Sequence, residues 1–492
     1  SRGGSFGQSD VEGFQDYLDE RYTDEFLLER YGIDDVQAFD YGAYIVGNGW
    51  GGSYLQQEPW IPLIEDYGNF QRTSSKDFIS ELIAETRQYA TDTGSEQPVF
   101  TGNIFGFAPH LMLYNNDLDF LTVEYPYVED GIAPWGHALP MLQLGRASGK
   151  KSVVFPSVFT GRSIYLWPDT KDLFSLWIME AYATGNAFLH QERFFAGTGF
   201  GGQRNWLEPD TTHTNQIFKF IADNHFVYDK SEPMAEVAIA YSHPSDYFDN
   251  IRDSVLGTAY ALSDAHIQYN IIFMGDDVQR VEDTTTLSQL KKYDAIILPS
   301  ARLLTESQTS MLQNYVLSGG VLLTTAEPGT HDANNDSAYR PQWQTMTARG
   351  SRDWGDGFVQ VINENFGEVY IAERSEELRE ILTDPVMLRS NPLVETDAAD
   401  STHFLLARDN LETGEIFYTL DLFNYNYTQY SNRIWTAEEA AVTVQLDADF
   451  ANDGSYQLYR LEVSPPSIDL VTFSRSGSSA SFTADPIGAH AT

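Results

Sequence analysis

Among the residues that could do chemistry in this chain, two carboxylates stand out by where they sit. Glu124 closes the run Leu118-Asp119-Phe120-Leu121-Thr122-Val123-Glu124-Tyr125-Pro126-Tyr127. A short apolar segment that ends in an acid flanked by rings reads as a buried parallel strand with a carboxylate at its C-terminal end. Glu192, in His190-Gln191-Glu192-Arg193, follows a second short apolar segment in the same way. Two carboxyl groups at one sheet end suit glycoside hydrolysis, in which one acts as acid and the other as nucleophile or base. The aromatic residues Tyr125, Tyr127, Trp135, Trp167 and Trp206, with His137, fall in the segments expected at that same end, where rings stack on sugar faces. Asn103 and His190 complete the candidates, as a hydroxyl-binding amide and a proton carrier. Each has a plainer alternative: an Arg partner for either acid, a turn cap for Asn103, a hydrogen-bonded structural role for His137 and His190, and ordinary packing for each ring.

The elements that must carry these residues follow from apolar periodicity. From Phe14 to about Val227, amphipathic helices alternate with short apolar strands at Pro98 to Thr101, Leu118 to Glu124, Ser152 to Phe155 and Ala187 to His190. The clearest helix is expected to open at Ser74, with Asp77 in a capping box, and to bury Phe78, Ile79, Leu82, Ile83 and Tyr89. Four strands make half of a (β/α) barrel of the eight-stranded type. The runs VAIAYS, YNIIFM, DAIILPS and GVLLTTA then predict a doubly wound, flavodoxin-like sheet, with a helix over Glu306 to Leu317 capped by Thr305 and Gln308. The span Asp332 to Asp356 reads as a long loop. Beyond about Phe404 the apolar residues alternate, as in an antiparallel β-sandwich. The fold class is thus multidomain α/β: a partial barrel over residues 1–232, a flavodoxin-like or glutamine-amidotransferase-like domain over 233–400, and a β-sandwich over 401–492.

Composition narrows the chemistry. Asp and Glu number 71 of 492 residues against 30 Lys and Arg, a net charge of -41 spread along the chain, while 42% of residues are hydrophobic. Enough apolar residues are present for a folded core, so the acidity does not signal disorder. A surface this acidic is of the halophilic type, its self-repulsion screened by concentrated salt, and it disfavours nucleic acid and anionic membranes as partners. The absence of Cys excludes disulfides, thiolate metal sites and Cys nucleophiles. No cofactor is expected, no His spacing of the HExxH kind suggests a metal, and no apolar stretch approaches the length of a membrane-spanning helix. The compartment stays open, with extracellular favoured; the sequons Asn335-Asp336-Ser337 and Asn426-Tyr427-Thr428 permit glycosylation there.

The order of half-barrel, doubly wound unit and sandwich resembles the β-galactosidases of glycoside hydrolase family 42, over essentially the whole chain. YDAIILPSARLLTESQTSMLQNYVLSGGVLLTT is similar to that family's trimerisation domain. SFGQSDVEGF resembles the family pattern CFCxxCxxGF, in which the cysteines bind zinc; Phe6, Gly13 and Phe14 match, whereas Ser5, Gly7 and Asp10 replace the cysteines. The resemblance implies a lost metal site and a chain that begins just past barrel strand four, so that PVFTGN, LDFLTVEYPY, KSVVFPSV and NAFLHQERF are strands five to eight. It implies an acid/base Glu upstream of Ser5 and a nucleophile on strand seven, which here ends in Pro156-Ser157 without a carboxylate. Hydrolysis of β-galactoside-type bonds is the leading expectation. A catalytically inactive carbohydrate-binding or assembly protein on the same scaffold is the alternative. Expected partners are carbohydrate, further copies of the chain with a trimer first, and a segment or chain supplying barrel strands one to four.

Overall fold

The computed structural model describes residues 6–56, 60–105, 117–125, 138–156, 171–190, 194–198, 204–207, 211–228, 232–276, 283–362, 366–410, 413–426, 434–452, 455–463 and 465–492. The chain divides into two compact units, one over Ser1–Val99 and the other over most of the rest from Phe100 onward.

The first unit is helical. Gln8–Arg21, Asp24–Tyr31, Tyr41–Gly47 and Gly51–Leu55 pack with Ile64–Thr93 around an aromatic core of Phe14, Tyr41, Tyr54, Tyr67 and Phe70. Phe14 meets Tyr67 edge to face at 4.8 Å, the arrangement ring quadrupoles favour. Thr23 caps its helix by accepting from the Phe26 amide at 3.2 Å, and Gly32 ends that helix at φ 71°, in the left-handed region open to glycine. Within the segment compared with a zinc pattern, residues 8–14 open the first helix and the Gly7 amide donates to Asp10, while Ser5 lies outside the described residues. The long helix departs from expectation. It begins at Ile64, not Ser74, because Tyr67 and Phe70 contribute to the core and extend the helix toward its N-terminus. Ile83 is buried, but Phe78, Leu82 and Tyr89 are 64%, 48% and 69% exposed, which corrects the expectation that they are core.

The second unit opens with a four-stranded parallel sheet, β1 (Thr101–Phe105), β2 (Phe120–Tyr125), β3 (Ser152–Pro156) and β4 (Ala187–Phe188), in that spatial order. β1 starts at Thr101, where the expected strand ended, and β4 is two residues long, extended by the Leu189 amide bonding to Val154. Helices Ala138–Ala147 and Lys171–Ala183 cover one face with Leu142, Leu144, Leu176 and Ile178. A short antiparallel pair follows, β5 (Phe194–Thr198) with β6 (Arg204–Leu207).

After β7 (Glu232–Pro233) comes a six-stranded sheet. It comprises β8 (Val237–Ser242), β9 (Tyr269–Met274), β10 (Ala295–Pro299), β11 (Val321–Thr325), β12 (Gly350–Trp354) and β13 (Gly357–Ile362), in the order β12-β13-β11-β10-β8-β9. The five parallel strands fall in the order 2-1-3-4-5 of a doubly wound sheet, with β12 added antiparallel at one edge. Every residue of β8, β10 and β11 is buried, which is why these strands read as unbroken apolar runs. The capping box at Thr305 is present: Thr305 Oγ1 accepts from the Gln308 amide at 3.1 Å, and Gln308 Oε1 accepts from the Thr305 amide at 2.9 Å. The stretch Asp332 to Asp356 is not all loop. Pro341 starts the helix Pro341–Met346, in which Trp343 is buried and donates to the Pro328 carbonyl at 2.6 Å. β12 and β13 form a hairpin across Gly355-Asp356, with Gly355 at φ 61°.

The remainder builds two antiparallel sheets. One orders β14 (Val394–Thr396), β17 (Ala440–Gln445), β21 (Ser479–Ala484) and β20 (Ser474–Ser476) as β14-β17-β21-β20. The other comprises β15 (Thr402–Asn410), β16 (Ile416–Asn424), β18 (Leu458–Val463), β19 (Pro466–Val471) and β22 (His490–Ala491), ordered β19-β18-β22-β16-β15-β7. Val394, Val442 and Val444 from the first sheet meet Phe404, Leu406 and Leu422 from the second in a common core.

Candidate functional site

Alternation along β2 decides which way Glu124 points. Leu121 and Val123 are fully buried on the helix-covered face, so Thr122 and Glu124 lie on the opposite one, where both are half-buried. The register of β1 and β2 pairs Asn103 with Thr122, and that of β2 and β3 pairs Glu124 with Phe155. Same-face neighbours follow: exposed Thr101 and Asn103 on β1, Thr122 and Glu124 on β2, and half-buried Val153 and Phe155 on β3. The Thr101 and Thr122 hydroxyls are 2.7 Å apart across this face. Asp119, just before β2, accepts from the Phe100 amide at 2.7 Å and ties the two strand entries together. A hydroxyl pair, an amide, a carboxylate at a strand end and a ring are thus gathered on the face of the parallel sheet opposite the two helices. Such a set can hydrogen-bond sugar hydroxyls and present a carboxylate to a glycosidic oxygen.

Of the sequence candidates, Glu124 and Asn103 share this face. His190 follows β4 in phase with buried Phe188, and its ring packs 5.3 Å from that of Phe174 on the covering helix, so it lies toward the helix-covered side of the sheet. Tyr125 and Trp206 belong to β2 and β6, and only their backbone is described. Glu192, Tyr127, Trp135, His137 and Trp167 lie outside the described residues, as does Tyr427 of the second sequon. Asn335 of the first sequon sits in a turn at φ 67°.

Sequence reasoning missed a second set of ionisable residues, buried between the elements. Glu180 is 2% exposed, with Oε1 accepting from the Tyr425 hydroxyl at 2.6 Å, and burial pushes its carboxyl up to about 8. Asp264 accepts from His403 at 2.9 Å and from the Tyr370 hydroxyl at 2.8 Å. Burial alone would raise the Asp264 carboxyl, but these bonds and the Arg374 charge together hold it below the usual carboxylate range. Asp246 accepts from the Tyr241 hydroxyl at 2.6 Å, and His243 faces Asp276 at 3.3 Å. The available signal was an acid inside an otherwise apolar helix: in KDLFSLWIMEAYA, Glu180 is the one Asp, Glu, Lys, Arg or His past the first turn. Among the described residues no group of His, Asp and Glu could hold a metal ion, and no helix is long and apolar enough to cross a membrane.

No family model matches the chain. Two curated proteins are similar to part of it. An α-agarase of Thalassotalea agarivorans is 24% identical over 300 residues, 57% of this chain and 19% of that protein, and an α-agarase of Alteromonas agarilytica is 22% identical over 289 residues. The chain therefore spans about a fifth of the length of the curated relatives it matches. Among solved structures, a β-galactosidase from Bacillus circulans sp. alkalophilus superposes with a TM-score of 0.60 at 14% identity, covering 98% of this chain and 77% of that one. A GH42 β-galactosidase from G. stearothermophilus gives 0.56 at 13% identity over 99% and 76%. A GH42 exo-carrageenase from Bacteroides ovatus gives 0.51 at 11% identity over 98% and 63%. The protein thus has a mixed α/β multidomain fold of the kind found in these glycoside hydrolases.

Proposed function

We propose that this chain belongs to a glycoside-hydrolase-like protein that acts on β-galactoside-type or galactan substrates at the face bearing Glu124. The observation that carries the reading is the position of Glu124, at the C-terminal end of a parallel strand on the side opposite the helices, in a fold similar to that of β-galactosidases. The likeness of the sequence to α-agarases and of the fold to an exo-carrageenase supports a galactose-based polymer as substrate. Asn103 and the Thr101–Thr122 pair would bind hydroxyls, while Tyr125, Tyr127, Trp135, His137 and Trp206 are proposed to line the same cleft. Glu192 is the in-chain candidate for the second carboxyl group. The four-stranded sheet is read as strands five to eight of a barrel within 1–232, closed by strands from another segment or chain. Residues 233–400 are read as a flavodoxin-like trimerisation module and 401–492 as a β-sandwich. The net charge of -41 supports a high-salt setting.

One observation favours a second reading, a carbohydrate-binding protein without turnover. β3 ends in Pro156 and contains no carboxylate, whereas a retaining mechanism needs two acids about 5 Å apart. A single experiment separates the two. Aryl β-galactosides and neutral galactan oligosaccharides are assayed for hydrolysis and for binding with the wild type and Glu124→Gln. An enzyme loses several orders of magnitude in rate on substitution, while a binding protein shows no turnover and loses about 1–3 kcal/mol of affinity. Unchanged hydrolysis and binding in Glu124→Gln would remove Glu124 from the site.

A further inference from the structure

The helix Lys171–Ala183 is joined to the β-sandwich by one polar contact that its surroundings make dependent on a proton. Glu180 sits in the last turn of the helix, after Leu176, Trp177, Ile178 and Met179, all buried. Its Oε1 accepts from Tyr425, the residue after β16, and its Oε2 has no hydrogen-bond partner among the described residues. Tyr425 is held in turn: its amide bonds to the Ser401 carbonyl at 2.9 Å and its ring lies 4.8 Å from that of His403.

We propose that Glu180 and Tyr425 form a proton-dependent lock between this helix and the sandwich, firmest while the carboxyl holds its proton and weakened as rising pH favours an open form in which the carboxyl is ionised and hydrated. A neutral carboxyl tolerates such a site. An ionised one would need several donors to replace water, and here it has one. The charged groups on neighbouring elements are committed elsewhere. His213 on the helix Thr212–Asp223 bonds to Ser175 at 2.9 Å, and Lys219 pairs with Asp223. His490 pairs with Asp421 on the sandwich side, and His403 bonds to Asp264. Arg146, on the helix Ala138–Ala147, lies beside Gly185. None of these influences the carboxyl; burial raises it to about 8, and only the Tyr425 hydroxyl opposes that rise. The lock therefore weakens as pH rises toward 8 and changes little above it.

Hydrogen exchange on the full chain, followed by mass spectrometry between about pH 6 and 10 and corrected for intrinsic rates, tests this. Wild-type protection of 171–183 and 416–426 is expected to fall at least about tenfold between pH 6 and 8 and to level off above, while β8, β10 and β11 stay protected. In Glu180→Gln, which stays neutral, protection should be flat. Tyr425→Phe removes the bond that favours ionisation, so its midpoint should move upward. A flat wild-type profile, a fall in Glu180→Gln equal to that of the wild type, or a Tyr425→Phe midpoint at or below the wild-type value would overturn the proposal. Tyr425→Phe retains the ring, so the test stands even where Glu180→Gln folds poorly.

Discussion

The Tyr425 hydroxyl donates a 2.6 Å hydrogen bond to the Glu180 carboxyl across 245 residues of sequence, at a site closed to water. An unfolded chain releases this proton near pH 4.5, whereas the folded protein holds it up to about 8. Between those values the folded state binds more protons, so stability falls as pH rises through the window and levels off above it. Urea denaturation should show this slope in the wild type, with a total change of up to about 5 kcal/mol, since each pKa unit corresponds to about 1.4 kcal/mol. Glu180→Gln should lose this contribution and be the more stable protein at pH 9.

Two glycines should respond oppositely to the same substitution. Helices Arg252–Asp264 and Phe366–Glu373 cross where Gly257 meets Gly367, and a Cβ on Gly257 would overlap the Gly367 carbonyl. Gly257→Ala should therefore cost about 1–3 kcal/mol through forced separation of the helices. Gly68, inside the helix Ile64–Thr93, has no atom within 4 Å of such a Cβ. Gly68→Ala should stabilise by about 0.5–1 kcal/mol. Thermal melts of the two variants check both signs, and a stabilised Gly257→Ala would refute the close crossing.

Salt should act on the whole molecule. With a net charge of -41, carboxylates repel over a Debye length that grows from about 3 Å at 1 M to 30 Å at 0.01 M. The melting temperature is expected to drop when KCl is lowered from molar to millimolar. An unchanged value would show that the charges are already neutralised by local pairing. The fall at Glu180 is expected at every salt concentration, because a buried group is screened little.

Association is expected through the doubly wound module and the parallel sheet, with a trimer as first choice. Light scattering in high salt at micromolar concentration checks this, and a monomeric mass would count against it.

Much of the fold was legible because the signals are local. VAIAYS and DAIILPS announce strands buried on both faces, and Thr305 with Gln308 announces a helix start, since a capping box is contained within four residues. Glu124 was legible as an acid at a strand end for the same reason. The start of the long helix at Ile64 was not, because Tyr67 and Phe70 are drawn into helix by rings elsewhere in the first unit. Nor was the exposure of Phe78, Leu82 and Tyr89, since an apolar stripe states that a face can be buried and not that a neighbour covers it. Trp343 in a polar stretch looked like a loop residue until the Pro328 carbonyl supplied its partner.

By itself, the sequence determined the segments, the acidity, the absence of thiol chemistry and the carboxylate at the end of β2. Each follows from residue types within a few positions of one another. Only the tertiary structure decided that Asn103 shares a face with Glu124 while His190 turns to the helix side, because face is set by strand register and not by composition. It alone brought Glu180 to Tyr425 and Asp264 to His403, pairs 245 and 139 residues apart. Contacts at such separations are made by packing the elements against one another, and a buried charge acquires its chemistry only from what that packing places beside it.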